Sequence, residues 1–179
     1  MDPLQFSYRA GRRVENATLT LSNLISGHKY LWSNCSCVLY RAFSTVQPHV
    51  LIHKLSNLEI NSDLVLWISQ FLCGRPQRVN LNSRLCSGPV FSNELTLNTG
   101  VPKGCVLSPF LFSIYTNDIS CNNPVLTLIQ FADDMALAGH LKDEFSLSRY
   151  YLQIELLNSC FRCSCLELNM AKPKDLVLG

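Results

Sequence analysis

Apolar residues along the chain follow helical spacing in some segments and strand-like spacing in others. Helical spacing predicts helices over residues 15–30, 49–58, 63–73, 108–117 and 145–165. Strand-like runs lie at residues 35–39, 77–82, 94–98, 125–131, 135–138 and 175–178. Because helices and strands interleave, the pattern predicts an α+β fold, in which an antiparallel sheet is backed by helices.

Turn and cap residues mark several boundaries of these predicted elements. Gly74 follows the helix predicted over residues 63–73 and precedes Pro76, a usual place for a helix to stop. Ser108 can cap the helix predicted after it, with Pro109 at the first helical position. No repeat or convincing linker divides the chain, which predicts one domain.

The composition of the chain indicates a buried core and an intracellular location. With 47% hydrophobic residues in 179, the chain has enough apolar material for a buried core. No apolar run approaches the roughly 18 residues of a membrane span, and no secretory signal opens the sequence. We therefore expect an intracellular protein, in the cytoplasm or nucleus, without a membrane partner. No protein partner is indicated.

The 9 cysteines form no disulfide framework. In a reducing compartment they are expected to be free and mostly buried thiols. Cys160, Cys163 and Cys165 have a metal-like spacing, but they lie in a predicted helix without a second ligand pair. We expect them in the core, with zinc as the minor alternative.

Charge is distributed unevenly, although its sum is small. A net charge of +2 is lower than expected for a stand-alone nucleic-acid-binding domain. Between residues 71 and 110, however, Glu94 is the only acid, and the basic residues are Arg75, Arg78, Arg84 and Lys103. This middle stretch is suited to face phosphate.

Asp133 and Asp134 lie side by side at the predicted bend between two strands. Adjacent carboxylates repel each other unless a cation or solvent relieves them, and carboxylate oxygens are ligands for Mg²⁺. A two-metal phosphoryl-transfer site uses such carboxylates from different strands. The alternative is a solvated hairpin tip, which the dipeptide alone favours because Asp is common in turns.

The segment from Gly100 to Pro109 is a glycine-containing loop that leads into a helix. Backbone N–H groups at such a junction attract anions, and Lys103 adds a positive charge. The alternative is a loop that only turns the chain.

These two segments, in this order, resemble motifs of reverse transcriptases, the RNA-directed DNA polymerases. Phe131-Ala132-Asp133-Asp134 resembles the metal-binding motif, and residues 100–112 resemble the template- and nucleotide-contacting motif, which usually has Gln where this chain has Lys103. Further segments resemble the vertebrate-type non-LTR, LINE-like retrotransposon group: Phe6-Ser7-Tyr8-Arg9-Ala10-Gly11-Arg12, residues 71–79 and residues 166–174.

The resemblance implies a reverse transcriptase palm with part of the fingers and no thumb. Residues 1–34 would be partial fingers, and residues 35–179 the palm with a finger-like insertion around 60–98. Asp133 and Asp134 would bind two Mg²⁺ ions, or Mn²⁺, and Lys172 would be catalytic. Template or nucleotide contacts are implied for Arg9, Arg12, Arg78, Pro102, Lys103, Gly104 and Ser108. The implied partners are an RNA template, a DNA primer and deoxynucleoside triphosphates.

One departure from the family pattern affects the metal site. The first palm motif supplies another metal-binding aspartate four residues before an Ala-Phe pair, and four residues before Ala42 this chain has Val38. No acidic residue lies between Asn16 and Ile52, so a shifted register does not restore it. Two hypotheses follow: a truncated polymerase domain with impaired nucleotidyl transfer, or an inactive retroelement remnant that at most binds RNA or RNA–DNA duplex.

Overall fold

The computed structural model describes residues 2–26, 32–81, 90–121, 123–140, 143–169 and 174–178. The helices are α1 (Val14–Ser26), α2 (Ala42–Thr45), α3 (Pro48–Asn57), α4 (Ser62–Leu72), α5 (Leu107–Tyr115) and α6 (Glu144–Cys163). The strands are β1 (Trp32–Tyr40), β2 (Arg75–Gln77), β3 (Asn80–Leu81), β4 (Val90–Phe91), β5 (Leu95–Leu97), β6 (Leu126–Phe131), β7 (Asp134–His140), β8 (Glu167–Leu168) and β9 (Lys174–Leu178). Within these ranges no helix combines the length and apolar character that crossing a membrane requires.

The main sheet is antiparallel and centres on β1. One edge of β1 pairs with β7, which in turn pairs with β6, and the other edge pairs with β9 and then β8. β1 runs from residue 32 to residue 40, longer than the predicted 35–39, because it is paired along both edges. The predicted α+β fold, an antiparallel sheet with helices, is confirmed.

The two faces of this sheet are covered by different elements. Leu126 and Leu128 of β6 belong to the main core with residues of α3 to α6, whereas Ile129 packs with Phe6 and Ala17 of the N-terminal region. Side chains alternate across a strand, so neighbouring residues of β6 meet opposite layers. The N-terminal segment is therefore part of the folded domain.

The middle of the chain differs from its prediction. Instead of one strand over residues 77–82 there are two short ones, and they belong to separate two-stranded sheets, β2 with β5 and β3 with β4. The break lies at Val79, whose N–H donates to the Ser92 hydroxyl while its carbonyl accepts from the Ser92 N–H, 2.9 Å in each case. We call residues 75–97 the β2–β5 arm. Part of it, including Arg84, lies outside the described residues.

Two other predictions are wrong. Ser108 does not cap α5, because the helix begins at Leu107 and the Ser108 hydroxyl instead donates to the Pro102 carbonyl at 2.6 Å. Cys160, Cys163 and Cys165 are exposed. The helical period of α6 turns Leu157 and Phe161 to the core and the two helical cysteines away from it.

Candidate active site

A two-residue turn formed by Ala132 and Asp133 joins β6 to β7. Phe131 and Asp134 are cross-strand partners that close this turn. Its φ is positive at Ala132, +55°, as at the first central position of the two-residue turns that usually join hairpin strands. Asp133 is half-buried and Asp134 is exposed. We call residues 131–134 the acidic turn.

The backbone of β1 fixes the acidic turn from one side. The N–H of Leu39 donates to the carbonyl of Asp133 at 2.9 Å, and Val38 is the direct cross-strand partner of Asp134. Directly opposed residues in an antiparallel pair have Cβ atoms about 5 Å apart. The position at which the sequence pattern predicts the family's first aspartate, Val38 in this chain, is therefore adjacent to the acid pair.

Two carboxylates suit one divalent ion better than two. Asp133 and Asp134 would supply carboxylate oxygens of the kind that Mg²⁺ and Mn²⁺ accept, and water would complete the coordination of a single ion. Among the described residues there is no cluster of three or more His, Cys, Asp or Glu side chains able to hold a metal. The same finding gives zinc no support in the described part of the chain.

The loop before α5 is held against the segment that follows β1. Gly100 donates its N–H to the Val46 carbonyl at 2.7 Å, and Val101 donates to the Phe43 carbonyl at 2.8 Å. A Cβ at Gly100 would lie 2.9 Å from the Cα and the carbonyl oxygen of Ser44, and its φ is +73°. Only glycine permits this approach, which fixes the loop containing Lys103.

Lys103 lies between two pockets. The larger, about 630 Å³, is lined by the start of the arm and by residues 99–103, including Arg75 and Pro102. The smaller, about 370 Å³, is lined by Tyr8, Phe43 and residues 103–109, which include Gly104 and Ser108. Lys103 is exposed and makes no hydrogen bond or ion pair with any other described residue. Its ammonium group is therefore available to an anion in either pocket.

Tyr8 connects the smaller pocket with the acidic turn. Partial burial raises the pKa of its phenol, and the negative charge of Asp133 raises it further. Its backbone has a φ of +55°, a conformation that costs a non-glycine residue energy. Phe43, which also lines this pocket, is stacked on Phe112 of α5 with ring centroids 4.7 Å apart. Sequence reasoning named neither Tyr8 nor Phe43 as a site residue, although both lie inside motifs it recognised.

The arginines expected to contact template or nucleotide are all engaged within the chain. Arg9 donates to the carbonyls of Asp2 and Gln5 at 2.7 and 3.3 Å, and Arg12 lies over the Phe6 ring at 4.9 Å. Arg78 is paired with Glu94 at 2.8 Å on the exposed arm. Contacts of these arginines with nucleic acid remain predictions.

Two other cations named from the sequence are Arg75, which the structure describes, and Lys172, which it does not. Arg75 donates to three backbone carbonyls, of Leu72, Thr99 and Gly100. Its guanidinium therefore joins the start of the arm to the Gly100 loop. Lys172 lies outside the described residues, and its catalytic role remains a prediction.

Comparison with known proteins gives a consistent result. The family described as "Reverse transcriptase (RNA-dependent DNA polymerase)" matches residues 1–176. No curated protein sequence matches the chain.

Several solved telomerase structures are similar in fold. Apo telomerase from Candida tropicalis truncated from its C-terminal domain has a TM-score of 0.65 at 11% identity, covering 97% of this chain and 36% of that one. Candida tropicalis telomerase in complex with a fragment of telomeric RNA has a TM-score of 0.59 at 11% identity over 91% of this chain and 29% of that one. The corresponding Candida albicans complex has a TM-score of 0.55 at 14% identity, over 93% and 30%. The chain thus spans about a third of these telomerase chains.

Proposed function

Because this chain belongs to the reverse transcriptase family, we propose that it is a non-LTR retrotransposon domain that binds template and primer but performs nucleotidyl transfer weakly. The non-LTR assignment rests on the ordered segments at residues 6–12, 71–79 and 166–174, which resemble that group. The proposed partners are an RNA template, a DNA primer and deoxynucleoside triphosphates, with Mg²⁺ or Mn²⁺ as cofactor.

The observation that supports weak catalysis is the register of β1 against β7. Val38 stands opposite Asp134, so the position proposed for the lost carboxylate lies beside the acid pair. Loss of one positioned transition-state contact costs roughly 100- to 1000-fold in rate, and loss of a metal ligand should cost at least as much. A valine cannot replace that ligand.

The acid pair and the Gly100 loop would each contribute to such a site. Asp133 and Asp134 would hold a divalent ion, which when bound supplies positive charge to the reacting phosphate. Lys103, between the two pockets, would attract the phosphates of nucleotide or template strand. The hydrogen bond from Ser108 to Pro102 fixes the loop in which Lys103 lies.

A second candidate function is binding without catalysis. It is favoured by the absence of a three-ligand metal cluster among the described residues and by the exposed ammonium of Lys103. Such a domain would bind RNA or RNA–DNA duplex, and its affinity would fall steeply with salt because phosphate neutralisation releases counterions.

Primer extension with a matched pair of substitutions tests the proposal. Val38→Asp restores a charged ligand, and Val38→Asn introduces a similar shape without the charge. We expect Mg²⁺-dependent synthesis to rise roughly 100-fold or more in Val38→Asp alone, and to disappear when Asp133→Asn is added. If neither the natural chain nor Val38→Asp shows Asp133-dependent synthesis, the polymerase proposal fails and binding alone remains.

A further inference from the structure

We propose that Ser7 is a positioning residue for the acidic turn, which it holds from the N-terminal segment through a buried chain of hydrogen bonds. The inference deepens the proposed function, since it assigns this role within the metal site described above. None of these hydrogen bonds involves the Asp133 or Asp134 side chain, so both carboxylates are left out of the series.

The N-terminal segment lies along β6 in strand fashion. Gln5 and Gln130 form a parallel bridge, in which the N–H of Phe6 donates to the Gln130 carbonyl at 2.9 Å. The N–H of Gln130 donates in turn to the Leu4 carbonyl at 3.0 Å. This pairing brings Ser7 to the end of β6, next to the acidic turn.

Polar side chains then connect this segment to the turn in an unbroken series. The Gln130 amide donates to the Ile119 carbonyl, and its oxygen accepts from the Gln5 amide at 3.2 Å. The Gln5 oxygen accepts from the Ser7 hydroxyl at 3.0 Å. The Ser7 oxygen finally accepts from the backbone N–H of Ala132 at 2.8 Å. The hydroxyl proton is directed to Gln5, which leaves its lone pairs for Ala132.

Burial makes this series costly to interrupt. Gln5, Ser7 and Gln130 are exposed by only 0, 2 and 1%. A buried donor or acceptor without a partner loses its hydration with no compensation. Every donor and acceptor of this series has a partner, and the Gln5 oxygen has two, because it also accepts from the Ser7 backbone N–H at 3.3 Å.

The series of hydrogen bonds ends at Ala132, where the backbone conformation is unfavourable for a non-glycine residue. Ala132 has a φ of +55°, at a turn position that usually has glycine. Its N–H, in the peptide that joins Phe131 to Ala132, is held by Ser7, and the Asp133 carbonyl, in the peptide that joins Asp133 to Asp134, is held by Leu39. The two bonds therefore hold the peptide groups on both sides of the Ala132–Asp133 peptide. Without Ser7 the peptide before Ala132 loses its restraint, and the backbone that carries the Asp133 carboxylate is held from one side only.

A purely structural role for Ser7 predicts a different outcome from a positioning role. If Ser7 only stabilises the fold, Ser7→Ala lowers the melting temperature but leaves the metal affinity of the folded protein unchanged. If Ser7 positions the acidic turn, metal affinity also falls at a temperature where both proteins are folded. Partners of metal ligands typically change affinity by about 10- to 100-fold when they are removed.

The experiment combines two readouts on the natural chain and its variants. Hydrogen exchange of the Ala132 amide, followed by NMR, reports the bond itself, and Mn²⁺ titration followed by electron paramagnetic resonance reports the site. We expect Ser7→Ala to accelerate exchange at Ala132 and to weaken Mn²⁺ binding about tenfold. Ser7→Thr, which keeps the hydroxyl, should retain both. Ser148→Ala is the control, because it removes an exposed hydroxyl that bonds only within α6.

The outcomes distinguish failure of the Ser7 inference from failure of the proposed metal site. Unchanged exchange at Ala132 in Ser7→Ala overturns the inference, and so does faster exchange with unchanged Mn²⁺ affinity. Absence of Asp133-dependent Mn²⁺ binding in the natural chain overturns the proposed metal site, and with it the functional part of the inference, even where exchange at Ala132 responds.

Discussion

The acidic turn and the β2–β5 arm hold charged residues in two different ways. The acidic turn is fixed through its backbone, by Leu39 from one side and by buried Ser7 from the other. In the arm, short two-stranded sheets support exposed side chains, and Arg78 is balanced by Glu94 at the surface. Backbone fixation of the turn does not depend on which acids are present, whereas an exposed ion pair such as that of the arm is screened by solvent.

This difference explains how the chain can keep its site geometry without a complete set of ligands. The register that places position 38 opposite Asp134 is set by the ladder between β1 and β7. Replacing an aspartate by valine at that position leaves every ladder bond possible, because the ladder uses backbone groups. If position 38 is a lost metal ligand, as proposed, then fold and chemistry are separable, because the β1–β7 ladder does not need that ligand.

The first prediction disrupts the Gly100 loop, to which Arg75 joins the arm, and has the largest effect. Gly100→Ala should destabilise the fold by about 3 kcal/mol, because a Cβ meets the Ser44 backbone at 2.9 Å and the φ is positive. Gly74→Ala is the matched control, since its φ is +64° but nothing lies within 4 Å of the added Cβ. It should cost about 1 kcal/mol. Chemical denaturation measures both, and equal losses would refute the close approach.

The second prediction concerns the exposed charge between the pockets. Lys103→Gln introduces the residue usual in the family and removes one positive charge. The slope of log affinity against log salt concentration for an RNA–DNA duplex should decrease in magnitude by about 1. Arg149→Gln removes an equal charge from α6, where the side chain lies over the Phe145 ring and lines neither pocket, and should leave the slope unchanged. An identical change in both variants would mean that only net charge matters.

The third prediction tests how little the arm's ion pair stabilises the protein. Arg78→Ala and Glu94→Ala should each change the free energy of unfolding by under about 1 kcal/mol, because both side chains are half exposed and solvent screens the pair. A double-mutant cycle in denaturant measures the coupling. A coupling well above 1 kcal/mol would show that the arm is more rigid than its exposure suggests.

The fourth prediction uses Tyr8 as a reporter of charge at the acidic turn. Burial and the Asp133 carboxylate both disfavour the phenolate and so raise the Tyr8 pKa. Asp133→Asn should lower that pKa toward its ordinary value, while the part caused by burial remains. A cation bound at Asp133 should shift it in the same direction. NMR titration of tyrosine ring carbons, with Tyr8→Phe for assignment, detects the shift, and no shift on removing the charge would place Tyr8 away from Asp133.

The sequence predicted the main elements because their signals are local. The helical stripe that gives α4, with Gly74 at its end, and the apolar runs on both sides of Asp133 needed no tertiary information. Val38 was identified by counting within a motif, and the β1–β7 register then placed it beside Asp134.

Other features depend on contacts between distant residues and could not be predicted in this way. The bond from Ser7 to Ala132 spans 125 positions, and no pattern marks Gln5 or Gln130 as fully buried glutamines. The Ser108 hydroxyl does not cap α5, because the folded loop places the Pro102 carbonyl 2.6 Å from it and the hydroxyl donates there. The exposure of Cys160 likewise depends on which face of α6 meets the sheet.

The most direct test of the central claim measures whether a carboxylate at position 38 raises the affinity of the chain for Mn²⁺. Mn²⁺ binding is titrated by electron paramagnetic resonance for the natural chain, Val38→Asp and Val38→Asn, each with and without Asp133→Asn. A third carboxylate opposite Asp134 should raise the affinity at least about tenfold in Val38→Asp, because affinity follows the number of charged ligands. Val38→Asn should stay near the natural chain, and Asp133→Asn should abolish the gain. Equal affinities for Val38→Asp and Val38→Asn would contradict the account, since position 38 would then not belong to the metal site.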